Sequence, residues 1–370
     1  MTERHFEECR SVSSIFGPFT CTPNLFLMKK KALIISISVV AVIMLSAAAA
    51  AYLYLTLYNR PFKVTEPTFI YIDGDDSADS VFAKMESGLH PKSMTGMKIL
   101  ARVKDYGEHI YTGAYLINSE MTVLEAFRML NAGRQTPVKL IVPSVRKTDS
   151  LVSRVAKQIM ADSASIASLL NDSNYIANIG YNKATIPALF IPDTYEVYWN
   201  MTADGFIKRM IRENKSFWNA ERTAKAKALN MTAAEVCTLA SIVDEETAND
   251  TEKPLIAGLY INRLKRGMLL QACPTVKFSL QDFGLRRILF RHLKTDSPYN
   301  TYKYVGLPPG PIRIASVAGI NSVLDYSKHN YIYMCAKEDF SGTHNFASTL
   351  SEHNRNAARY QQALNRRNIR

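Results

Sequence analysis

The 370-residue sequence has no Cys-x-x-Cys pair, no zinc-like spacing, no internal repeat and no low-complexity segment beyond the alanines of 47–51. The first two absences weigh against a zinc site, and the odd number of cysteines, five, weighs against a complete disulfide framework. Cys237 reads as a small core residue on a helix, and Cys273 and Cys335 stay open as a pair in an oxidising compartment. Charge of one sign is not gathered into long blocks. The net +12 is spread along the chain, apart from Lys29 to Lys31 and an Arg-rich end at Arg366, Arg367 and Arg370. Diffuse positive charge attracts phospholipid headgroups, cell-wall carboxylates and nucleic acid alike. No motif supports a nucleic-acid partner. His344 and His353 have polar neighbours but stand far apart, and no metal is expected of them.

Charge is also missing from Ala32 to Tyr58. A membrane span needs about 20 apolar residues, so this run suffices, and it exceeds a signal-peptide core of roughly 7 to 15. Lys29, Lys30 and Lys31 precede it, which predicts a cytoplasmic N-terminus with everything after the span outside. The chain is therefore expected to be a single-pass protein of the inner (plasma) membrane, with Tyr52, Tyr54 and Tyr58 near the outer interface. Residues 1–27 show no periodic pattern, and Met28 followed by three lysines reads as the natural start. The expected organisation is a cytoplasmic segment 1–31 (1–27 not translated), a span 32–58 and a linker 59–67.

Beyond the linker the pattern is α+β. Residues 68–137 read as a small module with strands at Thr68–Ile72 and Ile110–Leu116 and helices at Ser77–Met85 and Val123–Leu130. Residues 138–370 read as a larger α+β domain. It opens with a strand at Val138–Val142 and a helix at Leu151–Met160, followed by a helix at Phe206–Trp218. A further helix is bracketed by Pro254 and Gly267, and a last one near 352–364 is expected to bury Ala357, Tyr360 and Leu364.

The segment Thr232 to Thr247 carries the chemistry. Thr232 and Glu235 stand at capping-box spacing, and Val236, Leu239, Ile242 and Val243 then form one helical face. Glu246 falls on that face beside Leu239 and Ile242. Asp244 is turned from its centre, where it could take a supporting role, and Glu245 points toward water. A carboxyl group on a core-facing stripe is costly when ionised, so burial raises its pKa above the reference of about 4.3. A raised pKa suits a general acid. The plainer alternative is a frayed last turn that leaves Glu246 solvated.

Several ordered motifs accompany it: Phe190-Ile-Pro-Asp-Thr-Tyr195, Ala240-Ser-Ile-Val243, Ile261-Asn-Arg-Leu264, Leu270 to Val276, Tyr299-Asn-Thr-Tyr302, Gly306 to Ile312, His344-Asn-Phe346 and His353-Asn354. Over roughly residues 66 to 370 this set resembles the YceG-like (MltG) family of membrane-anchored endolytic murein transglycosylases. The resemblance implies a LysM-like module at 68–137, matched by Gly113-Ala-Tyr-Leu116 and Met121-Thr-Val-Leu-Glu125, and a catalytic domain at 138–370. It implies that Glu246 is the catalytic acid, with no cofactor. It also implies cleavage of the MurNAc-GlcNAc bond of nascent peptidoglycan strands to 1,6-anhydro-MurNAc ends, terminating elongation beside cell-wall synthases (penicillin-binding proteins). Gln271, Thr275, Asn300 and Tyr302 are expected substrate contacts, since amides and hydroxyls suit sugar and N-acetyl groups; loop-fixing hydrogen bonds are the alternative for each. The sequence departs from the family at Ser144-Val145, where a Glu-Gly pair is usual, in the missing glycine before Phe190, and at Cys273, where many relatives carry Asp. Two rivals stand: a membrane-anchored peptidoglycan-binding scaffold without activity, and a pyridoxal-phosphate lyase. The lyase would need a Schiff-base lysine and a cytoplasmic site, against which the expected topology argues.

Overall fold

A computed structural model describes residues 24–285 and 288–367. The expectations for residues 1–23 and for Arg370 lie outside the described residues. Contacts divide the chain into two units: residues up to 68 with 78–109 and 117–131, and residues 69–77, 110–116 and 132–370. This cut interleaves along the chain, whereas the sequence reading places a single boundary between 137 and 138.

The smaller unit holds four helices, α1 (Asn24–Leu57), α2 (Ala78–Leu89), α3 (Thr95–Val103) and α4 (Val123–Asn131). Within α1, the 30 residues Met28–Leu57 are long and apolar enough to cross a membrane. Leu33, Ile37, Val42, Leu45 and Leu55 all lie exposed along it. The helix begins before Ala32 and takes in the three lysines. The sequence reading missed α3. Its Gly96 approaches the end of α1 so closely that a Cβ there would lie 2.8 Å from the Thr56 carbonyl oxygen. Tyr106 is fully buried, with Phe82 and Phe127 rings 6.4 and 5.7 Å away.

The larger unit is mixed α+β, with three two-stranded sheets among the described residues: β1 (Thr68–Ile72) with β2 (Gly113–Ile117), β3 (Val138–Val142) with β4 (Asp193–Val197), and β5 (Tyr333–Ala336) with β6 (His344–Ala347). The last two pairs are antiparallel, registered Leu140 on Tyr195 and Cys335 on Asn345. β3 alternates as its sequence requires: Val138, Leu140 and Val142 are buried, while Lys139 and Ile141 face out. Its helices are α5 (Thr148–Ala156), α6 (Ser163–Asn171), α7 (Ser173–Asn178), α8 (Ala203–Phe217), α9 (Ala220–Ala228), α10 (Ala233–Glu246), α11 (Lys253–Lys265), α12 (Cys273–Leu280), α13 (Phe290–Leu293), α14 (Val317–Leu324) and α15 (Leu350–Arg366).

Two hydrophobic clusters build this unit. One joins β3 and β4 to α5, α6 and α8 through Leu140, Val155, Ile166, Phe190 and Phe206. The other joins α10, α11 and α14 through Leu239, Ile242, Leu259, Ile261 and Val323. α5 stops four residues short of the expected Met160. The Gln158 amide instead bonds both the N–H (2.8 Å) and the carbonyl (3.0 Å) of Ile141, and the Met160 N–H bonds Trp199. In α15 the fully buried residues are Asn356 and Ala363, while Ala357, Tyr360 and Leu364 are half-buried. Tyr360 lies beside the Phe340 ring at the rim rather than inside the core.

Candidate active site

α10 begins at the capping box the sequence predicts: the Glu235 N–H bonds the Thr232 hydroxyl, and the Thr232 N–H bonds the Glu235 carboxylate at 2.8 Å. From there it runs through the middle of its cluster, and every residue from Val236 to Val243 is buried. Buried Ser241 accepts a hydrogen bond from the Ile312 N–H at 3.0 Å and so fastens the Gly306–Ile312 loop to the helix. Gly310 lets that loop touch backbone, since a Cβ there would sit 2.0 Å from the Ala184 carbonyl oxygen. The helix ends at Glu246, and Thr247 is extended.

Three acidic residues therefore crowd one helix C-terminus, where the helix dipole already disfavours negative charge. The protein treats them differently. Asp244 accepts from the Ser316 N–H (2.6 Å) and hydroxyl (2.7 Å) and pairs with buried Lys253 at 2.8 Å. Glu245 bonds Arg146 at 2.8 Å and Arg313 at 3.0 Å. It is not turned to water as the sequence suggested; its side chain is 10 % exposed, because α10 is covered on every side rather than along one stripe. Arg313 also donates to the Ser144 carbonyl and hydroxyl, so the position that departs from the family pattern helps hold this pair.

Glu246 has no ion-pair partner among the described residues. Its Oε1 accepts from the Tyr260 hydroxyl at 2.7 Å. Burial pushes its carboxyl pKa up; the Tyr260 hydrogen bond, His344 when protonated, and the Lys277 charge oppose that rise, and Glu245 adds to it. It opens into a cleft of about 210 Å³ whose walls include Tyr260, Arg263, Gln271, Cys273, Tyr302 and His344.

The expected substrate contacts separate here. Gln271 and Tyr302 line the cleft. Gln271 holds a left-handed backbone (φ 50°), with its side-chain oxygen accepting from Arg263 at 3.3 Å. Thr275 and Asn300 do not line it and are fully buried. Thr275 donates to the Ala272 carbonyl and meets the Thr301 hydroxyl at 2.8 Å, while the Asn300 amide bonds the carbonyls of Leu293 and Thr295. Both side chains are engaged in hydrogen bonds within their loops. Cys273 and Cys335 both reach the cleft and are free thiols; Cys273 lies 3.2 Å from the Tyr302 hydroxyl. Cys237 is buried in the core.

The sequence reading did not place Tyr260, Arg263, His344 or Glu252 at the site. His344 projects from β6 with its Nδ1 3.0 Å from Glu252, whose other oxygen accepts the His344 N–H at 2.7 Å. His353 is elsewhere, stacked on Tyr333. The visible signal was an arginine inside the apolar run Ile256 to Leu264. Arg263 is buried and donates to the carbonyls of Ile332, Leu269 and Leu270.

Residues 70–359 match the profile of the YceG-like family, and the chain belongs to that family. It is 35% identical over 162 residues to an endolytic murein transglycosylase of Bacillus subtilis, covering 44% of each chain. It is 33% identical over 174 residues to one of Streptococcus pneumoniae, covering 46% of this chain and 31% of that relative. The match thus spans less than half the length of these curated relatives. The crystal structure of a YceG-like protein from Listeria monocytogenes superposes with a TM-score of 0.53 at 22% identity, covering 79% of this chain and 99% of the other. That likeness concerns the fold.

Proposed function

We propose that this protein is an endolytic peptidoglycan lytic transglycosylase with Glu246 as its acid. One observation carries the reading. Of three successive carboxylates at the end of α10, two are neutralised by cations and Glu246 alone meets a neutral phenol at the wall of a cleft. A carboxyl group in that setting stays protonated to higher pH and can protonate a leaving oxygen. The names of the curated relatives point the same way.

In this scheme Glu246 gives its proton to the glycosidic oxygen of the MurNAc-GlcNAc bond. The C6 hydroxyl of the same muramyl residue closes on the anomeric carbon, giving a 1,6-anhydro end. No water enters, so the second carboxylate that hydrolysing glycosidases place for water or nucleophile is not required. In the simplest version Glu246, once ionised, takes up the C6 proton. Gln271 and Tyr302 are the proposed sugar contacts. α1 is the proposed anchor, with the N-terminus cytoplasmic, the cleft on the wall side of the plasma membrane and cell-wall synthases as neighbours. The LysM-like reading of residues 68–137 belongs to the same proposal. Mass spectrometry of products from uncrosslinked strands tests it: anhydro-muramyl ends are expected from the wild type and none from Glu246→Gln. Reducing ends would mean a hydrolase, and no cleavage by either protein would favour the scaffold.

A further inference from the structure

The structure assigns His344, held by Glu252, as the base that takes the C6 proton during ring closure, dividing between two residues the transfers otherwise loaded on Glu246. This rests on the transglycosylase reading above.

Glu252 is buried at the start of α11, and both its oxygens are committed to His344, one to the backbone N–H and one to Nδ1. A carboxylate only accepts, so the proton of the Glu252 contact sits on Nδ1, and in the neutral ring this tautomer leaves the Nε2 lone pair available. That edge belongs to a residue lining the same cleft as Glu246. A carboxylate, an imidazole fixed through Nδ1–H and a hydroxyl in reach of Nε2 form the arrangement that activates a serine in triad hydrolases. Here the hydroxyl would be the substrate's own. β6 reinforces the geometry, because the backbone that carries His344 is itself tied to Glu252 and paired with β5.

The step balances. The C6 oxygen–hydrogen bond breaks, with its proton going to Nε2, as the C6 oxygen bonds to the anomeric carbon. The bond from that carbon to the glycosidic oxygen breaks, and Glu246 supplies the proton to the leaving oxygen. The step leaves His344 with one proton more and Glu246 with one fewer; after product leaves, His344 releases a proton to solvent and Glu246 takes one up, which restores both groups with no water consumed. Glu252 is a positioning residue in this scheme, since it acts through the imidazole.

The experiment is steady-state kinetics of the full chain in detergent on uncrosslinked strands, comparing wild type, Glu246→Gln, His344→Asn, His344→Ala and Glu252→Gln. His344→Asn keeps an amide N–H for Glu252 and should retain its melting temperature while kcat falls about 10²-fold with KM within threefold. Added imidazole should restore part of the kcat of His344→Ala, and Glu252→Gln should lower kcat at unchanged KM. Anhydro ends from the wild type with His344→Asn keeping kcat within threefold would overturn this assignment and leave the transglycosylase reading standing. Failure of imidazole to rescue a folded His344→Ala would also overturn it. No anhydro ends from the wild type would remove both.

Discussion

The Tyr260 hydroxyl donates to Oε1 of Glu246 at 2.7 Å, joining the last residue of α10 to the middle of α11 inside the cleft. This bond favours the ionised carboxylate, while burial favours the acid, and burial dominates. Replacing Tyr260 with Phe should therefore raise the Glu246 pKa further. The alkaline limb of the kcat/KM profile, which reports the essential acid of the free enzyme, should move to higher pH. The lost orientation should cost roughly tenfold in kcat, as expected for a hydrogen bond to a charged group. A limb moving to lower pH would contradict this.

A raised carboxyl pKa also has a sign in stability. The folded state holds the Glu246 proton more tightly than the unfolded chain, so wild-type stability falls as pH rises from the ordinary carboxylate value through the raised one. Gln cannot ionise. Glu246→Gln should melt a few degrees above wild type at pH 7, with the gap closing below about pH 4. Thermal scans by intrinsic fluorescence across that range would check it.

Asp244 and Lys253 should behave in the opposite way. Their side chains are 3 % and 8 % exposed, and removing one partner leaves the other charge buried. Asp244→Asn should destabilise the larger unit by about 3–5 kcal/mol, read from urea unfolding. A loss below about 1 kcal/mol would show that exposed Asp250, also 2.8 Å from Lys253, suffices alone.

The four polar residues expected at the substrate should divide into two pairs. Thr275→Val should lower stability by about 1–2 kcal/mol and leave KM unchanged, because its hydroxyl serves Ala272 and Thr301. Asn300→Ala should do the same by freeing the loop at Leu293 and Thr295. Gln271→Ala and Tyr302→Phe should instead raise KM several-fold. Kinetics and melting of the four variants side by side give the answer.

The same division shows what the sequence could convey. The capping box at Thr232 and the apolar spacing up to Ile242 are local patterns of period 3.6, and they placed α10 and singled out Glu246. Local spacing could not reveal that Glu245 is neutralised, because Arg146 and Arg313 stand 99 and 68 residues from it in the chain. Nor could it place Glu252 against His344, 92 residues on. A threonine or asparagine in a motif reads equally as a sugar contact or a loop clamp until its neighbours are known, which is why Thr275 and Asn300 were open to both.

The central claim is that the cleft closes a ring rather than admitting water. Cleavage of uncrosslinked strands in water enriched in heavy oxygen, with the new muramyl ends weighed by mass spectrometry, tests it most directly. Unlabelled ends, one water lighter than a hydrolysis product and absent with Glu246→Gln, are the predicted result. Label in the new ends would contradict it.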